Sequence, residues 1–96
     1  MTTTSHGQLI ALVASWHERR IETSTFIVEY WRLRNRLLES NPELFVGRFG
    51  ELSSNIETAT NVYSASPNEA YELGEADLRR ELGPVVRELL ELEARR

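Results

Sequence analysis

The chain has 96 residues, 41% hydrophobic and 27% charged, a balance that suits one folded domain with a modest core and excludes a fibrous or disordered chain. It has no cysteine, which excludes a disulfide framework, a thiolate metal site and a cysteine nucleophile; its only histidines are His6 and His17. Eleven basic against fifteen acidic side chains give a net charge of −4, the wrong sign for non-specific nucleic-acid binding.

Residues 1–7 are polar and lack a basic leader. The short apolar run 9–14 is followed by Trp-His-Glu-Arg-Arg, the reverse of a signal peptide's charge order. No window nears the ~20 apolar residues of a membrane span. The cytoplasm is therefore the expected location. Leu9, Leu12, Val13, Trp16 and Arg20 recur at helical spacing and predict an amphipathic helix over 7–20, anchored by Trp16. Glu22, Thr23 and Ser24 supply N-cap chemistry for a second helix. Its stripe is Phe26, Tyr30, Leu33 and Leu37, flanked by Ile27, Trp31 and Leu38. It should end near residue 40, because a residue before proline avoids the helical region. Asn41 and Pro42 then suit the cap and first position of the next helix.

Phe45, Phe49, Leu52, Ile56, Ala59 and Tyr63 form the third stripe. Gly47 and Gly50 interrupt its start, each costing about 1 kcal/mol relative to alanine, so the regular helix is predicted to begin near Arg48. Turn residues from Ser64 to Pro67 stop it, and residues 64–74 form the longest irregular stretch. The last stripe is Leu78, Leu82, Val85, Leu89 and Leu92. Pro84 within it predicts a kink, or a helix that restarts after Gly83. Arginines close the chain at a helix C-terminus, where the dipole favours them. The elements predict an all-α, antiparallel four-helix bundle over residues 1–96, frayed at 1–6 and 94–96.

Motifs for chemistry are missing. A di-iron bundle needs Glu-x-x-His, but Thr3 and Ala14 stand three places before His6 and His17. His17 reads as a boundary side chain and His6 as part of the frayed terminus. There is no nucleophile elbow and no P-loop. Neither an enzyme nor a cofactor is expected. Arg32, Arg34 and Arg36 read as a nucleic-acid contact or as a solvated face paired with Glu29, Glu39 or another helix; the negative net charge favours the second.

Charge is unevenly spread. Residues 39–78 hold eight carboxylates against Arg48 alone, a balance of −7. Residues 1–38 carry five arginines against three glutamates, and residues 79–96 five against four. The acidic segment also contains Tyr63 and Tyr71, a residue type enriched at interfaces. It reads as a docking face for a basic partner. It reads equally as acids that favour the start of a helix and keep a loop soluble.

Two blocks of the sequence resemble the colicin-D-type immunity proteins. One is Leu9 to Ser15, Ile21 to Phe26 and Trp31 to Leu37; the other is Glu51, Leu52, Tyr63 and Tyr71 to Leu82. The resemblance implies a four-helix bundle that binds the basic nuclease domain of a bacterial toxin, a tRNase or other RNase, one to one. Acidic groups of the immunity protein would cover the toxin's RNA-binding cleft. Carried over by position, the contact residues are Glu57, Tyr63, Glu69, Tyr71, Glu72, Glu75 and Asp77. No nucleic acid, membrane or homodimer partner is implied. The alternative is a small antitoxin or regulator that touches DNA through Arg32, Arg34 and Arg36.

Overall fold

Each apolar stripe closes into a helix whose inward side chains share one core. The computed structural model describes residues 6–70 and 72–95 and is an all-α helical bundle. Helix α1 spans His6–His17, α2 Thr23–Ser40, α3 Arg48–Asn61 and α4 Glu75–Ala94, with a 3-10 turn at Pro42–Phe45. Val13 and Trp16 from α1, Phe26, Tyr30 and Leu37 from α2, Leu52 and Ile56 from α3, and Leu78, Leu82 and Val86 from α4 are essentially inaccessible. Burying each large apolar side chain contributes about 1.5–3 kcal/mol. His6 lies 3.3 Å from Glu93, while Arg79 reaches the Trp16 carbonyl, so residue order along α4 runs opposite to α1.

Helix α1 ends three residues before the predicted boundary, and its exit is a Schellman turn. Arg20 N–H donates to the Ser15 carbonyl (2.8 Å) and Arg19 N–H to that of Trp16 (3.0 Å). Arg19 takes the left-handed position, φ 64°, normally given to glycine. Arg20 is thereby exposed instead of continuing the stripe.

The glycines at the start of α3 answer to geometry. Gly47 precedes α3 at φ 95°. A Cβ on Gly50 would sit 1.8 Å from the Phe45 carbonyl oxygen, so only glycine lets the 3-10 turn pack onto α3. The regular helix starts at Arg48 as its sequence predicts. Arg48 clamps both oxygens of Glu88, joining α3 to α4.

Other expectations are corrected. Glu22 occupies the N-cap of α2 without a side-chain capping bond, and Thr23 is buried in the first turn. Asn41 makes no side-chain cap either; its N–H closes α2 on the Leu37 carbonyl (2.7 Å). Helix α4 runs through Pro84 with no restart after Gly83, because Leu82, Val86 and Leu89 are buried on both sides of an exposed proline. That burial outweighs the cost of a proline inside a helix, about 3 kcal/mol. Val86, in place of Val85, is fully buried in the last stripe, leaving Val85 half-buried. His6 is not frayed: it opens α1 and meets Phe49 edge-on at 5.9 Å. Ala94 is still helical, while residues 1–5 and Arg96 lie outside the described residues.

The strain at Arg19 is testable. Arg19→Gly should stabilise the fold by about 1 kcal/mol, since the turn demands a left-handed residue. An unchanged or lower urea midpoint would count against the Schellman reading.

Candidate functional site

The acidic segment divides into an inward part and an outward part. Glu57 belongs to the inward part. Its carboxylate accepts hydrogen bonds from Ser53 Oγ (2.7 Å) and Arg34 Nε (3.2 Å), and its side chain is only 15% exposed. Ser53 Oγ lies 2.5 Å from the buried Tyr30 hydroxyl. Burial pushes the Tyr30 hydroxyl pKa above its ordinary range, more than its bond to Ser53 lowers it. Trp31 Nε1 donates to Thr60 Oγ1 (3.2 Å), and Arg34 covers the Trp31 ring at 5.5 Å. These groups form a polar seam between α2 and α3. Glu57 thus serves α2, not an open face.

The outward part is the loop between α3 and α4. Its ends are tied by a parallel bridge between Tyr63 and Leu73. Ser64 N–H donates to the Leu73 carbonyl and Leu73 N–H to that of Val62, both at 2.8 Å. Its tip is folded by its own acid. The Glu72 carboxylate accepts the N–H groups of Asn68 (2.7 Å) and Glu69 (2.9 Å). Those backbone bonds, Asn68 first, hold the Glu72 pKa below its usual value. The Glu69 side chain is left exposed and makes no ion pair with any described residue. Tyr71 lies outside the described residues.

Where the loop enters α4, Glu75 accepts the Thr23 hydroxyl proton (2.5 Å) and pairs with Arg79 Nε (2.5 Å). Burial works to raise the Glu75 pKa, but Thr23 and then Arg79 outweigh it and the net direction is down. Tyr63 and Glu75 meet Glu22, Thr23, Ser24 and Arg79 around a cleft of about 290 Å³. Asp77 is half-buried and pairs with Arg80 on the same helix.

The structure therefore brings Tyr63 and Glu75 to one cleft, sets Glu69 and Glu72 on the adjoining loop, and removes Glu57 to the α2–α3 seam. The arginine run is dispersed as well. Arg32 pairs with Glu29, Arg34 joins the seam, and Arg36 is exposed. Thr23, Arg79 and Glu81 escaped the sequence reading. Glu81 is exposed and makes no ion pair with any described residue; its position four residues after Asp77, on the same face of α4, was the available signal.

Among the described residues no cluster of three or more His, Asp or Glu is placed to hold a metal ion. No described helix is long and apolar enough to cross a membrane. No protein-family model matches the chain, and no match is found among curated proteins or solved structures.

Because the folded protein holds the Glu75 pKa below its ordinary 4.5, the carboxylate stabilises the fold fully above that pH. Its contribution is lost as pH falls below 4.5 toward the folded value. The drop in urea midpoint from pH 7 to pH 3 should be smaller in Glu75→Gln than in the parent. An equal drop would show that Thr23 and Arg79 do not favour the ionised form.

Proposed function

We propose that the chain is an immunity-type binding protein that acts without catalysis in the cytoplasm. It lays its acidic loop and the start of α4 against the basic cleft of a nuclease toxin domain, one to one. Tyr63, Glu69, Glu72, Glu75 and Asp77 are its contact residues. The observation that carries this reading is the self-folded acidic loop, closed by the Tyr63–Leu73 bridge and organised inside by Glu72. A loop held by its own hydrogen bonds spends less entropy on association. Its carboxylates match a cleft built for phosphates without offering a scissile bond, and opposite fields speed encounter. The two sequence blocks that resemble colicin-D-type immunity proteins are in keeping with the same reading. The DNA-binding alternative is less favoured, since the chain carries a net charge of −4 and Arg34 lies in the α2–α3 seam with Glu57.

The test pairs the chain with its cognate nuclease domain, to be sought in the adjoining gene. The double variant Glu69→Lys, Asp77→Lys should slow association about tenfold at low salt and abolish protection of cells from the toxin. Its thermal midpoint should stay close to the parent's, because neither side chain belongs to the core. Association at the parent rate, or no binding by the parent protein, sinks the proposal.

A further inference from the structure

Between α3 and α4 lies a groove that no part of the described chain fills. Asn55, Thr58, Ala59 and Val62 form one wall, at helical positions i, i+3, i+4 and i+7. Glu81, Leu82 and Val85 form the other, and Leu73 closes the end beneath the acidic loop. The groove encloses about 480 Å³. Leu82 and Ala59 are buried in its floor, whereas Asn55, Thr58 and Glu81 are exposed at its rim. The α3 wall rises about 10 Å from Asn55 to Val62. Two anchor side chains one helical turn apart need about 6 Å.

Among the described residues, Glu81 is the one charged side chain that lines the groove. No basic side chain lines it. Glu81 stands at its rim with no ion pair to any described residue. Asp77, one turn earlier on α4, is paired with Arg80, while Glu69 sits exposed on the loop that ends at Leu73. An occupant therefore needs apolar side chains against the half-buried Val62, Leu73 and Val85, and a cation beside Glu81.

We propose that the groove receives a basic amphipathic helix of the partner, with two aliphatic or aromatic anchors at i and i+3 or i+4 and Lys or Arg beside Glu81. This rests on the toxin-binding reading and names the partner element that completes it. The groove holds the partner after the acidic loop has steered it in. Apolar anchors in a desolvated groove govern dissociation, while the loop charges govern association.

The probe is a synthetic helical peptide with leucines on one face and lysines on the other, beside a twin with serines for leucines. Titrated into the isotope-labelled full chain, the leucine peptide should shift the NMR signals of Thr58, Val62, Leu73, Glu81 and Val85. Thr58→Trp, which fills the groove from an exposed helix position, and Glu81→Lys should each weaken that binding about fivefold or more. Equal shifts from the serine twin, shifts centred elsewhere, or no effect of Thr58→Trp overturn the groove proposal. With the nuclease domain, Thr58→Trp should speed dissociation about tenfold and leave association unchanged. Nuclease binding that responds to Glu69→Lys but not to Thr58→Trp overturns the groove alone. A nuclease domain that ignores both overturns the loop reading too.

Discussion

The burial of the Trp16 indole sets a demand that three helices must meet. A buried indole N–H without an acceptor is costly, and Thr23 Oγ1 answers it at 2.9 Å. The same hydroxyl donates to Glu75, Glu75 holds Arg79, and Arg79 returns to the Trp16 carbonyl (2.9 Å) and covers its ring at 4.7 Å. Phe26 stacks on the ring at 4.5 Å, nearly parallel. One aromatic residue thus ties the end of α1 to the first turns of α2 and α4. The entry of the acidic loop into α4 inherits its position from that closed circuit.

A second circuit lies further along the same face of α2. Tyr30, Ser53, Glu57 and Arg34 satisfy one another across the α2–α3 seam. A half-buried ion pair adds little stability over a well-packed apolar pair, but removing one partner is expensive because the other charge is stranded. The hydroxyls of Tyr30 and Ser53 complete the shell of the Glu57 carboxylate, so its charge is spent inside the bundle. This leaves the loop and the first turns of α4 to present negative charge outward. The acidic segment is thereby both scaffold and surface.

Much of the fold was legible in the sequence. The stripe through Leu52, Ile56 and Ala59 marked α3, and Gly47 and Gly50 marked its displaced start. Arg19 was not legible, because nothing local announces a left-handed arginine; the turn needs one there to aim α2 back along α1. Pro84 suggested a restart that α4 does not make, for the converse reason. A proline's local cost is fixed, and the burial that exceeds it on either side is seen only once the helices are packed. Within the candidate site, the sequence located the acidic loop but could not separate Glu57 from Glu69. Both are glutamates in one acidic run, and only their neighbours on other helices distinguish them.

By itself the sequence determined the helices, the order of the apolar stripes and the concentration of negative charge between residues 39 and 78. These follow from periodicity and composition, which are properties of neighbouring residues. Tertiary structure alone decided that Thr23 links Trp16 to Glu75, that Glu57 is spent on Tyr30's seam, and that a groove with an acidic rim stays open between α3 and α4. Each depends on which residues distant in the chain come within hydrogen-bonding or van der Waals reach. The packing of four helices sets those distances.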